Sequence, residues 1–328
     1  MKTLILGATG MIGANIAEQL GQSGNIRILA RSPEKAKSIL GPAYEIVEGD
    51  ITDESSLQSA MEGVELVYHA AGLPEQWFKD VGIFDRVNHQ GTRKVMNAAL
   101  QKGVSRLVYT STIDVFAGLA HKSYDESVID EKPKGTYYER SKQAADRAAV
   151  EAIKSGLDVV FTHPSGLFGP GPVGSPGSND FIADLINKKV PLLLPGGFPL
   201  VFSEDCARGH ILAAQKAKTG DRFILSDAYF SLEELANVVK SIRPETKVPS
   251  VMPLWFAKLF SASGELKARI TGKSPMLPAG QLHFLQWQAI PSAEHAKRVL
   301  DWAPTETTAA IKQTIEFLVS QGRVAPKK

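Results

Sequence analysis

The stretch GATGMIG, residues 7–13, sets Gly7, Gly10 and Gly13 at strict three-residue spacing directly behind the apolar run TLIL. Few features restrict a fold more. A buried strand must end at Leu6 and a helix must open near Met11, with almost no side chain on the turn between them. In that context Gly7 permits the tight turn, and Gly10 lets a pyrophosphate approach the backbone. Gly13 lets the helix pack closely on the strand, and the helix N-terminus offers unpaired N–H groups and a positive dipole end. Thr9, Met11 and Ile12 complete the loop and the first helical turn. A glycine-rich turn that serves packing alone is the plainer alternative, but a loop following the first strand of the chain points to a dinucleotide.

Beyond residue 13 the chain keeps the matching rhythm. IRILAR, YEIVEGD, ELVYHAAG and SRLVYTST alternate with helical patterns around residues 34–40, through ESSLQSAMEG and from about Asn88 to Lys102. A long amphipathic helix from about Tyr137 to Ser155 leads into LDVVFTHP. Short apolar runs alternating with helices predict a parallel sheet covered on both faces. The expected class is therefore α/β, a doubly wound (Rossmann) parallel sheet with a smaller, mostly helical C-terminal substrate domain. SGLFGPGPVGSPGSND, after Pro164, reads as a loop. SLEELANVVKSI opens on a serine cap with Glu three residues on, a capping-box pattern. The division expected is residues 1–165 and 200–227 for the dinucleotide domain, and 166–199 and 228–328 for the substrate domain.

Composition narrows the alternatives. A formal charge of +2, with no block of basic residues, gives no case for nucleic-acid binding. The single cysteine, Cys206, excludes a disulfide framework and a cysteine-built metal site, and the seven histidines show no ligand spacing, so no metal is expected. The opening apolar run stops after Leu6, short of a signal peptide, and no stretch approaches the ~20 apolar residues of a transmembrane helix. A cytoplasmic protein is the expectation.

The cofactor type is read at the strand ends. The second strand ends ILARSPEK, without the acid that would hold a ribose 2′-hydroxyl. Arg31 and Lys35 suit a 2′-phosphate instead, with Ser32 as a further donor, so NADP(H) is favoured over NAD(H). Arg31 stacking on an adenine as a solvated cation is the alternative. Asp50 in EGDITD suits the adenine amino group with Ile51 against the ring; Asp50 capping the next turn is the alternative. Ala70, Ala71 and Gly72 end the fourth strand with small residues where a backbone passes close to a cofactor.

TYYERSK carries the chemistry. Tyr138 and Lys142 lie one helical turn apart on one face. An ammonium beside a phenol stabilises the phenolate and lowers a pKa that starts near 10, which suits proton exchange with a hydroxyl or carbonyl. At the end of the fifth strand Ser111 and Thr112 compete to hydrogen-bond the reacting oxygen. Strand alternation lets only one of them face the site.

In order and spacing, GATGMIG, HAAG, YTSTIDVF, YYERSK and HPSGLFGPG resemble the extended short-chain dehydrogenase/reductases over essentially the whole chain. The texture is most similar to the branch of dihydroflavonol reductases, 3β-hydroxysteroid dehydrogenases and hopanoid-associated epimerase-like proteins. The resemblance implies Tyr138 and Lys142 as the catalytic pair and Thr112 as the hydroxyl that orients the substrate oxygen. Pro164 and Ser165 then lie beside the nicotinamide amide, although the usual Arg-Pro reads His163-Pro164 here. Sugar-nucleotide members carry an arginine seven residues before the aspartate that corresponds to Asp205. This chain has Phe198 there, and a phenyl ring cannot grip a diphosphate.

These readings converge on an NADP(H)-dependent oxidoreductase that interconverts a ketone and a secondary alcohol on a fairly apolar small molecule. Trp77 and Phe78 fall on the loop the family turns toward substrate, with surface packing as the alternative. Trp255, Phe256, Leu259 and Phe260 recur at helical spacing, the pattern of a packed core, a greasy pocket wall or a membrane contact. The rival activity is an epimerase or dehydratase with tightly bound NAD acting on a sugar or sugar nucleotide. A binding protein that senses the dinucleotide is the non-enzymatic alternative, and the retained Tyr–Lys pair counts against it. The helices after the fourth and fifth strands pair across a two-fold in many relatives, so a homodimer is expected.

Overall fold

The computed structural model describes residues 1–21, 25–172 and 178–327. Its centre is a seven-stranded, all-parallel sheet built from β1 (Thr3–Leu6), β2 (Ile26–Ala30), β3 (Glu45–Glu48), β4 (Leu66–His69), β5 (Arg106–Thr110), β7 (Val159–Pro164) and β10 (Arg222–Leu225). The spatial order is β10-β7-β5-β4-β1-β2-β3, so the connections reverse direction between β1 and β4. That reversal opens a crevice at the carboxyl ends of the strands, where open α/β sheets receive ligands.

Strand alternation divides the core. Leu4, Leu6, Val67, Leu107 and Tyr109 face α3 (Glu54–Ala60), α5 (Thr92–Lys102) and α6 (Tyr137–Lys154), meeting Leu57, Val95, Met96, Ala145 and Ala149. Ile5, Ile28, Tyr68 and Val108 point the other way, onto Ile16 and Ala17 of α1 (Met11–Leu20) and Ala207 of α8 (Ser203–Lys216). Side chains of this size each contribute ~1.5–3 kcal/mol when fully buried. Helix α2 (Pro33–Leu40) lies on the outer strands.

Two features depart from the sequence expectation. The helix expected from Asn88 begins at α4 (Gly82–Phe84) and passes through a π-helical stretch, Asp85–Gly91, before α5. The segment expected to be a loop after Pro164 holds β8 (Gly166–Phe168), and α7 (Ser178–Ile186) begins within it; residues 173–177 of that expectation lie outside the described residues. Strand β8 pairs in parallel with β9 (Gly197–Phe202), which pairs antiparallel with β11 (Ala228–Ser231). The boundary expected at residue 200 therefore falls inside β9.

Helix α9 (Leu232–Ile242) opens with the expected capping box, Ser231 and Glu234 exchanging hydrogen bonds. With α7 and α13 (Thr307–Ser320) it encloses a second core around Ile182, Leu235, Ile311 and Leu318. Helices α10 (Leu254–Thr271) and α11 (Ala279–Trp287) follow, then α12 (Glu294–Leu300). Two short strands, β6 (Ser123–Tyr124) and β12 (Ile290–Pro291), tie the end of α11 back to the segment before α6. Among the described residues no helix is long and apolar enough to cross a membrane.

Candidate active site

The glycine loop is built around its missing side chains. Gly7 has φ +87°, and a Cβ there would lie 2.6 Å from the Ala71 nitrogen and 2.7 Å from the Ala70 carbonyl. A Cβ on Gly13 would collide with the Gly7 carbonyl oxygen. So the structure brings Gly7, Gly13, Ala70 and Ala71 together at the crevice, while Gly72 sits beside the Asn88 amide. Gly10 caps α1 without any side-chain hydrogen bond, and the first turn holds no acid. Its N–H groups and the helix dipole are thus left for an anion. Thr9 is half-exposed and Ile12 half-buried, while Met11 is buried beneath Gly171. At the far end of the crevice Ser165 has a buried Oγ without a hydrogen-bond partner, next to Pro164 at the end of β7. Cradle, open helix end and orphaned hydroxyl all fit a dinucleotide.

Beyond the loop, Arg31 extends into solvent, its side chain 82% exposed, and its Nε is 3.9 Å from the Asp50 carboxylate. Lys35 is exposed on the first turn of α2. Ser32 is not free as expected: its Oγ accepts the Lys35 N–H and donates to Glu34. Asp50 receives the Thr52 N–H and hydroxyl at 2.8 Å each, so the turn-capping alternative describes one of its oxygens. Ile51 is buried against Gly91.

Ser111 and Thr112 have different surroundings behind the sheet. Ser111 donates to Asp146, which is held bidentately by Arg222 at 2.7 and 3.0 Å. Arg222 stacks on Phe161 and reaches His163, whose other ring nitrogen bonds the Thr112 carbonyl. Ser111 thereby belongs to a buried ion-pair network, and Thr112 faces Tyr138. The Thr112 hydroxyl, however, donates to Asp114 at 2.6 Å. Its oxygen also accepts the Asp114 backbone N–H at 3.4 Å.

Tyr138 itself lies edge-on to Phe84 and Phe284, at 6.1 and 6.2 Å between ring centres, and Phe84 in turn meets Phe78 at 5.2 Å. Contrary to the expectation of a lowered pKa, burial pushes the phenol well above its ordinary value. Asp114, Glu75 and Glu139 add to the rise, and the Thr112 hydroxyl opposes it. Lys142 donates to the Thr110 carbonyl oxygen at 2.8 Å, and burial brings its ammonium down to about 8 against the pull of Asp146 and Asp114. Burial also raises Asp114 to about 7 and Glu75 to about 7. His283 pairs with Glu139 at 3.3 Å, in space that Gly135 leaves free.

Of the expected substrate residues, Phe78 joins the aromatic chain at Tyr138. Trp77, its neighbour, is half-buried, and Phe198 packs in the three-stranded sheet against Gly166 and the second core. Sequence reading missed Glu75, Phe84, Asn88, Asp114 and Phe284. Asn88 clamps both backbone groups of Leu73 and the Ser141 hydroxyl, which fixes the substrate-side loop to α6.

Comparison with known proteins gives a consistent placement. A family model described as the NAD dependent epimerase/dehydratase family matches residues 3–225. Sterol demethylase protein B of Methylococcus capsulatus is 26% identical, over 99% of this chain and 100% of its own. The mouse sterol-4-alpha-carboxylate 3-dehydrogenase, decarboxylating, is 26% identical over 96% and 90%. Among solved structures, the dTDP-glucose 4,6-dehydratase DesIV of Streptomyces venezuelae, with NAD bound, shares the fold at a TM-score of 0.77 and 20% identity, covering 100% of each chain.

Proposed function

Since the chain belongs to the NAD dependent epimerase/dehydratase family, whose members bind NAD(P) and act on CH–OH and C=O groups, we propose that it is an NADP(H)-dependent oxidoreductase interconverting a ketone and a secondary alcohol on an apolar substrate. The observation that carries this reading is the setting of Tyr138, a half-buried phenol edge-on to Phe84 and Phe284 with the Thr112 hydroxyl beside it. The wall is aromatic on the Phe84 and Phe284 side, and Phe198 stands at the position where sugar-nucleotide members of the resembled family carry an arginine. The two sterol-named relatives agree with an apolar substrate.

Gly7, Gly10, Gly13, Ala70, Ala71 and Ser165 would hold the dinucleotide, whose nicotinamide would supply the hydride chemistry. The rest falls to the chain. A phenol held above its ordinary pKa stays protonated at neutral pH, so Tyr138 is set to donate its proton to a carbonyl oxygen. Lys142, which donates to the Thr110 carbonyl oxygen, would hold the ribose and offset the charge left on Tyr138. Thr112 positions the substrate oxygen, with its own hydroxyl oriented by the bond it donates to Asp114. A two-fold pairing through α5 and α6 completes the reading.

Fluorescence titration of NADPH and NADH, on wild type and Arg31→Ala, tests the cofactor choice. A charge-assisted bond of ~1.5–3 kcal/mol predicts a ten- to hundredfold preference for NADPH, lost in the variant. Equal affinity in the wild type, or NAD that copurifies and resists dialysis, would move the epimerase reading ahead.

A further inference from the structure

Helix α10 is amphipathic in the wrong sense for a packed helix. Its inward face carries small residues, with Ala257, Ser261 and Ala268 buried and Gly264 under Pro275. Its outward face carries large ones. Trp255, Leu259, Leu266 and Ile270, spaced four, seven and four apart, form one stripe and are 67%, 61%, 63% and 80% exposed. Phe256 and Phe260 flank it, and Val251 and Met276 extend it. Eight of the fifteen exposed large hydrophobic side chains among the described residues thus fall within 251–276. A patch so concentrated marks an interaction surface.

Charge selects the partner. The same segment exposes Lys258, Lys267, Arg269 and Lys273. Its one acid, Glu265, is turned toward α11, where it accepts the Ala279 N–H at 3.0 Å. Pairing this stripe with itself would set cation against cation with no acid to relieve them, which disfavours a second copy. An apolar stripe bearing tryptophan, bordered by lysine and arginine, matches a helix lying in the plane of an anionic bilayer. With Lys258, Glu265, Lys267 and Arg269 among its eighteen residues, such a helix lies on the surface rather than across it. Ala257 packs with Leu282 of α11, the helix that brings Phe284 to Tyr138, so the surface lies one helix from the candidate site.

We propose that α10 seats this enzyme on an anionic lipid bilayer, with Trp255, Leu259, Leu266 and Ile270 in the acyl boundary and the four cations at the headgroups. This anchoring rests on the helix alone and does not depend on the substrate assigned above.

Flotation of the full-length protein with vesicles of phosphatidylcholine and phosphatidylglycerol in equal parts, against phosphatidylcholine alone, is the test. The wild type should float with the anionic vesicles, less so as salt rises, with a blue shift in tryptophan emission that Trp255→Phe removes. Leu266→Ser combined with Ile270→Ser should weaken binding at least tenfold. Neutralising Lys258, Lys267 and Arg269 to glutamine should weaken it about fivefold per charge, near a hundredfold together. NADPH-dependent turnover of a water-soluble ketone should stay unchanged in both. Flotation that ignores lipid charge, or variants that float like wild type, overturns the proposal. So does light scattering showing an oligomer that Ile270→Glu dissociates, since a second copy would then occupy the stripe. Flotation without any ketone turnover leaves the anchor standing and removes only the reductase reading.

Discussion

Replacing Asp114 by asparagine should make the protein more stable, and only above the acid range. The Asp114 carboxyl is buried and sits near 7 instead of 3.8, because burial disfavours its charge and Glu139 adds to the rise. The folded state therefore binds its proton more tightly than the unfolded chain does. Stability from this group is complete below about pH 4 and falls as pH rises through 7. At ~1.36 kcal/mol per tenfold change in ionisation constant, the loss above pH 7 reaches about 4 kcal/mol. Asparagine keeps the shape and an acceptor for the Thr112 hydroxyl without titrating. With an unfolding entropy of ~2.1 cal/mol/K per residue, 4 kcal/mol corresponds to about 6 °C in this chain. Thermal melts of wild type and Asp114→Asn at pH 4 and pH 8 check it. The expected result is a gain of about 3–6 °C at pH 8 and little difference at pH 4. An equal shift at both values, or a loss at pH 8, would refute the burial argument.

Other perturbations test the remaining parts. Tyr138→Phe should fold and bind dinucleotide normally while ketone reduction falls by ~10²–10⁴-fold in single-turnover assays. Gly13→Ala forces a methyl group onto the Gly7 carbonyl, so calorimetry should show dinucleotide affinity lost and the melting temperature lowered. Arg222→Gln removes the guanidinium that pairs with the buried Asp146 carboxylate, and denaturant titration should show a loss of ~3–5 kcal/mol.

Where a local pattern has one structural solution, the sequence was readable. Gly10 and Gly13, which close on Gly7, and the Ser231–Glu234 capping box are satisfied by near neighbours in the chain. The Tyr138–Lys142 spacing needs only one helix. The π-helical stretch Asp85–Gly91 left no trace, since an i→i+5 turn has no residue signature that an α-helix lacks. Asp114 and Glu75 were passed over because acids are ordinarily solvated, and their burial is imposed by elements far along the chain. Ser111 could be told from Thr112 only once Arg222, more than a hundred residues away, was placed on Asp146. On α10 the recurrence of Trp255, Leu259 and Phe260 looks like a core face. The signal that decides otherwise was present, in Ala257, Ser261, Gly264 and Ala268 repeating at the same period, small enough to be the face that packs.

Hydride transfer to a free ketone is tested most directly by giving the enzyme NADPH doubly deuterated at C4 together with an apolar ketone, and analysing the product by mass spectrometry. A reductase of this design yields a secondary alcohol carrying one deuterium on the carbinol carbon, with one oxidised cofactor released per alcohol, and Tyr138→Phe forms it ~10²–10⁴-fold more slowly. An unlabelled, isomerised product with the cofactor still bound to the protein would contradict it.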